Sequence, residues 1–192
     1  MKNFNTRRIA ALGTLTALCV ALQVMSNYIT FGPVSITLAL IPVVIGAILY
    51  GVKGGAFLGA VVGIVILLSP STSGFLAFNP VMTIILCLVK TSLAGAVSAL
   101  LFKAINKKKT LPAVVVSSLI VPIINTGLFA IGVLLFFLPL FGEGIEAVKY
   151  LFLTVIGINF IVEFLVNALL ASTIYYLIKL IAKKFNIPLT LN

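Results

Sequence analysis

Two charged side chains stand inside stretches that are otherwise apolar, and they are the groups in this chain best placed to do chemistry. Lys90 lies within the apolar run 80–103, about ten residues, or roughly 15 Å at the helical rise, from one end of it. Glu163 lies about fourteen residues beyond Lys149 in the last apolar run, at a comparable depth. Asn159 and Asn167 stand four residues to either side of Glu163 and therefore share its helical face. Asn125 and Thr126 beside Gly127, and Asn79 before Pro80, supply further hydrogen-bonding groups. Taken singly, such residues serve as caps or interhelical hydrogen bonds; together they outline a polar cavity. Lys90 and Glu163 could pair with each other, or Lys90 could hold an anionic ligand.

The chemistry this set excludes is equally informative. The sequence has no His, and its three acidic residues, Glu143, Glu146 and Glu163, are all glutamates. An imidazole base, most histidine metal sites and any aspartyl-phosphate mechanism are therefore ruled out, and neither an enzyme, a metal site nor a cofactor is expected. Cys19 and Cys87 each fall inside an apolar run with no metal-ligating or disulfide spacing, and read as packing residues.

The elements that must position these groups are membrane helices. Of the 192 residues 62% are hydrophobic and 8% charged, and the mean hydropathy is +1.32, far from the balance of a water-soluble domain. The expected fold is an all-α integral membrane protein, a six-transmembrane-helix bundle in a single membrane domain over residues 1–192, with helices near 9–26, 35–50, 54–69, 80–104, 111–138 and 149–184. The run at 28–34 with Gly32-Pro33 reads as a loop, Gly51-Val52-Lys53-Gly54-Gly55 as a tight turn, and 69–79 as a polar outward loop. Pro42 and Pro122 are expected kinks. The last helix is too long for a perpendicular span and calls for tilt, a break near Gly157 or an extension.

Charge orients the bundle. With both termini cytoplasmic, the inner side receives Lys2, Arg7, Arg8, Lys53, Lys103, Lys107, Lys108, Lys109, Lys179, Lys183 and Lys184, eleven of the thirteen Lys and Arg, while Lys149 and the loop acids lie outside. Small residues recur every four positions at Gly13, Ala17 and Ala21 and again at Gly55, Gly59 and Gly63. Such stripes let helix backbones approach closely. The second stripe reads as internal packing; the first serves packing or a partner equally well by spacing.

With these features assembled, the chain resembles the substrate-capture S components of energy-coupling factor (ECF) vitamin transporters over nearly its whole length. The matching features are Ala10-Ala11 with Gly13, Ala17 and Ala21; the run from Phe31 through Thr37; Gly46-Ala47-Ile48-Leu49-Tyr50-Gly51 with Gly54-Gly55; Asn79-Pro80; Asn125-Thr126; and Gly157-Ile158-Asn159 with Glu163. The resemblance implies a subunit of the bacterial plasma membrane that captures a small vitamin at its outer face. It also implies two kinds of partner, a membrane coupling subunit of the EcfT type and two cytoplasmic ATPase subunits. The family's small-residue motif on the first helix carries over to Ala17 and Ala21, with Gly13 extending it, as the docking face. No Walker A sequence is present, so ATP hydrolysis falls to other subunits.

Among family members the pattern looks most like the pantothenate type, which often carries an Arg after the Asn-Pro segment where this chain has Lys90. Lys90, Asn79, Asn125, Asn159, Glu163 and Asn167 are then the expected substrate-binding residues. The alternatives are another vitamin or precursor (riboflavin, folate, a queuosine precursor), a proton-coupled carrier using Glu163, or a non-transport membrane scaffold in which Lys90 and Glu163 only pair.

Overall fold

The computed structural model describes residues 2–31, 34–35, 37–106, 110–142 and 144–185. Gly32, Pro33, Ile36, Lys107 to Lys109 and Glu143, used above to place loops and orientation, lie outside the described residues. Apart from short connections, the described residues are helical with one minimal hairpin. In order it forms α1 (Lys2–Ser26), β1 (Thr30–Phe31), β2 (Val34–Ser35), α2 (Leu40–Leu67), a 3-10 turn (Pro70–Thr72), α3 (Ser73–Phe78), α4 (Pro80–Ile105), α5 (Thr110–Phe136), a second 3-10 turn (Leu138–Phe141), α6 (Gly144–Tyr150), a π-helical segment (Leu151–Ile156) and α7 (Gly157–Phe185). β1 and β2 pair antiparallel, Thr30 opposite Ser35 and Phe31 opposite Val34.

Among the described residues, five helical stretches are long and apolar enough to cross a membrane: Ile9–Ser26, Leu40–Leu67, Pro80–Ile105, Thr110–Phe136 and Gly144–Lys184. The sequence reading expected six, because it divided α2 into two. α2 consists of two helical arms joined across a kink, where Gly51 leaves the helical region with φ 70° and ψ −162°, a conformation open to glycine. Its two arms lie against each other. A Cβ built on Gly55 would stand 2.9 Å from the Ala47 Cβ, and one on Gly54 would stand 3.2 Å from the Gly46 carbonyl oxygen. In a straight helix residues eight apart are separated by about 12 Å along the axis, so the chain reverses at Gly51. Exposed Lys53 sits at the tip of that reversal.

Three other boundaries differ from expectation. The second helix begins at Leu40 and not at residue 35, because residues 34–35 are committed to the hairpin. The 69–79 segment is not an open loop: Pro70 starts a 3-10 turn that leads into α3, whose Phe75 is buried. The last helix neither breaks nor begins at Lys149. It follows directly on α6 through the π-helical segment, and Gly157 itself has helical φ and ψ of −62° and −49°. α5 likewise runs through Pro122 as one helix.

The core is a close seam between α2 and α4. Cβ atoms built on Gly55, Gly59 and Gly63 would collide with the backbone of Gly95, Thr91 and Cys87 in turn, so the second small-residue stripe is an internal packing face. Leu58, Val62, Ala94 and Phe102 fill the space around it, and α1 adds Leu15 and Cys19. Both cysteines are buried and free. The seam predicts a contrast between two glycines. Gly59→Ala should lower the melting temperature of the detergent-solubilised protein by several degrees, because overpacking costs about 1–3 kcal/mol. Gly127→Ala, where a built Cβ meets nothing within 4 Å, should leave it unchanged or raise it slightly. Equal melting temperatures in thermal unfolding would contradict the seam.

Candidate functional site

Four elements converge on Lys90. On α4, Thr83, Cys87 and Lys90 are buried, and with Leu86 they recur at three- and four-residue spacing on one face. α5 presents Asn125, Thr126 and Phe129; α7 presents Asn159 and Glu163, with Ile156 ahead of them; the segment between β2 and α2 adds Ser35 and Thr37. The walls form two adjoining, partly open chambers. The smaller is lined by the charged and amide groups, Lys90, Asn125, Asn159 and Glu163 among them. The larger is lined by hydroxyls (Ser71, Thr72, Thr83) and aromatic rings (Phe75, Phe129, Phe137). Ser35, Thr37, Lys90 and Phe129 line both chambers. The rings interlock edge to face, Phe75 lying 5.3 Å from Phe137 and 6.0 Å from Phe129 between centroids.

Glu163 is tied down on both oxygens. Its Oε1 accepts the backbone N–H of Thr37 at 2.8 Å, and its Oε2 accepts Asn125 Nδ2 and Thr126 Oγ1, each at 3.3 Å. One carboxylate therefore joins the loop before α2, α5 and α7. Lys90 is in the opposite condition. Its ammonium lies 4.9 Å over the Phe129 ring, a cation–π contact, and among the described residues no carboxylate oxygen comes within 4 Å of it. Among the described residues an ion pair forms elsewhere, between exposed Lys149 and Glu146 at 2.8 Å.

Of the six expected binding residues, Lys90, Asn125, Asn159 and Glu163 meet in the smaller chamber. Asn79 and Asn167 do not line either one. Asn79 caps α4, its Oδ1 accepting the Met82 N–H at 3.2 Å, the use that an Asn before a helix-initiating Pro favours. Asn167 is buried and donates from Nδ2 to the Glu163 carbonyl one turn back. Reading the sequence alone missed Ser35, Thr37, Thr83 and the three phenylalanines. Thr83 had a signal, since it lies two turns from Lys90 on the same face. Ser35 and Thr37 had none, because a loop brings them in. The α1 stripe faces out: Gly13, Ala17 and Ala21 are exposed, whereas Ala11, Leu15 and Cys19 turn inward.

A family model, ECF transporter substrate-specific component, matches residues 12–179. The chain belongs to that family. No curated protein and no solved structure matches it. As an S component it is the substrate-binding subunit of a membrane transporter, in a family that works with EcfT and ATPase subunits on a small-molecule substrate.

The three donors converging on Glu163 make a direct stability prediction for the S component. Glu163→Leu leaves a buried backbone N–H, an amide and a hydroxyl unpaired and Lys90 without a counter-charge, at a cost on the order of 3 kcal/mol. The melting temperature should fall by about 6–12 °C, and Glu163→Leu combined with Lys90→Met should recover part of that loss. Strict additivity in the thermal double-mutant cycle would show that the two charges do not sense each other.

Proposed function

We propose that this S component captures a small anionic vitamin, pantothenate being the best candidate, with Lys90 as the electrostatic anchor and Asn125, Asn159 and Glu163 as the surrounding polar wall. The observation that carries this reading is the imbalance between the two buried charges. Glu163 is saturated by three donors, whereas Lys90 keeps its N–H donors for something else. A carboxylate beside the ammonium would complete it. Pantothenate carries one carboxylate, with amide and hydroxyl groups along the rest of the molecule, and the hydroxyl-lined larger chamber suits that composition. Asn79 and Asn167 support the site from outside it, by capping α4 and bracing α7.

The reversal at Gly51 supports six passes through the bacterial plasma membrane in a single membrane domain. α2 supplies two of them, a short arm of residues 40–50 and a longer arm of residues 52–67. The exposed Lys53 at its tip then lies on the cytoplasmic side with both termini. The exposed Gly13, Ala17 and Ala21 form the docking face for the EcfT-type coupling subunit, which brings the two ATPases.

Two measurements test this. Thermal-shift screening of the purified S component against water-soluble vitamins, without ATP, should single out an anionic one, and Lys90→Met should weaken it about 10- to 100-fold, the loss of a charge-assisted hydrogen bond. A panel in which no vitamin raises the melting temperature overturns the reading. In cells or proteoliposomes with the full transporter, Ala17→Phe should leave binding intact and abolish uptake; loss of binding with the complex still assembled would contradict the assignment of that face.

A further inference from the structure

We infer that Asn125 sets the polarity of the ligand group next to the anionic end, requiring a hydrogen-bond donor there, and that Glu163 is the positioning residue that imposes this choice. The inference rests on Lys90 holding the anion. Carboxylate oxygens only accept, so the Asn125 amide has to turn its Nδ2 toward Glu163, and its Oδ1 is left as an acceptor with no partner among the described residues. Asn125 is 2% exposed and lines the smaller chamber with Lys90. A buried acceptor of this kind is satisfied by an O–H or N–H on the ligand and penalises a carbonyl or ether oxygen in the same place. The residues lining the chamber thus include a donor, the Lys90 ammonium, and an acceptor, Asn125 Oδ1. That pair selects a carboxylate whose neighbouring substituent is a hydroxyl or an amide N–H.

The orientation is reversible by a single atom exchange. In Glu163→Gln the Thr37 N–H, a backbone donor, still demands an acceptor and takes the Gln oxygen. The Gln amino group then faces Asn125, whose amide turns over so that Oδ1 accepts from it and Nδ2 points into the chamber. The wall changes from acceptor to donor with almost no change in shape.

The test pairs pantothenate with its ester counterpart, in which the amide N–H nearest the carboxylate is replaced by an oxygen, and measures binding to the wild-type S component and to E163Q by calorimetry. The wild type should favour the amide form at least tenfold, and E163Q should shrink or reverse that ratio; an unchanged ratio overturns the inference. A second readout needs no ligand: the Asn125 side-chain NH2 signals in a 15N-labelled sample, identified by their loss in Asn125→Ala, should exchange with solvent faster in E163Q. Identical shifts and exchange overturn the inference even if no carboxylate binds, a result that would separately sink the anion reading. Should E163Q fail to fold, Asn125→Ala takes its place. It should abolish the preference for the amide form, and a retained preference overturns the proposal.

Discussion

A backbone N–H at membrane depth that belongs to no helix must find an acceptor inside the protein, because lipid offers none. The segment between β2 and α2 carries such a group at Thr37, and the Glu163 carboxylate accepts it. Much of the site follows from that bond. Glu163 sits on α7 and also takes donors from Asn125 and Thr126 of α5, so the loop is fixed to two helices at once and its Ser35 and Thr37 become part of both chamber walls. The same carboxylate therefore closes the irregular stretch of backbone and spends its charge on it, leaving Lys90 facing a ring and an open chamber.

The position of Lys90 depends on a second constraint, the glycine seam. α2 and α4 approach so closely that a Cβ on Gly59 or Gly63 would strike the backbone at Thr91 or Cys87, the residues flanking Lys90's own turn. With that face of α4 filled by backbone, the side chains at Thr83, Leu86 and Lys90 are left to the space between α4, α5 and α7. Close packing on one side of a helix is what lets the other side remain hollow, since in a bilayer van der Waals contact between small residues supplies association that the hydrophobic effect does not.

The parts of this architecture legible in the sequence are those that a membrane makes conspicuous. Lys90, Glu163, Asn125 and Asn159 stood out because polar groups are rare in apolar helices, and the 163/159 pair because its spacing is helical. The kink at Gly51 was legible from glycines around a lone Lys. Asn79 and Asn167 were polar and well spaced yet serve backbone groups, a distinction that depends on where the carbonyls and N–H groups of their own helices lie. The loop residues Ser35 and Thr37, and Phe75 on a short helix inside a Ser- and Gly-rich stretch, were illegible because non-local closure places them. Periodicity says nothing about a segment that has no period.

The separation of the two charges also explains why a transporter subunit would retain them in an apolar bundle. A direct Lys90–Glu163 pair would neutralise both groups and leave a ligand anion to compete against a bound carboxylate. Held apart, with Glu163 dispersed over three donors, the pair keeps the interior near neutrality overall while the ammonium still needs hydrogen-bond acceptors. Water can supply these, and in the anion-capture reading proposed above a carboxylate replaces that water at small enthalpic cost and with a charge the water lacks. On that reading binding gains from completing Lys90 without unmaking the bond that holds Thr37. A site built this way would discriminate through the groups left unsatisfied, among them the Lys90 ammonium and the acceptor oxygen of Asn125.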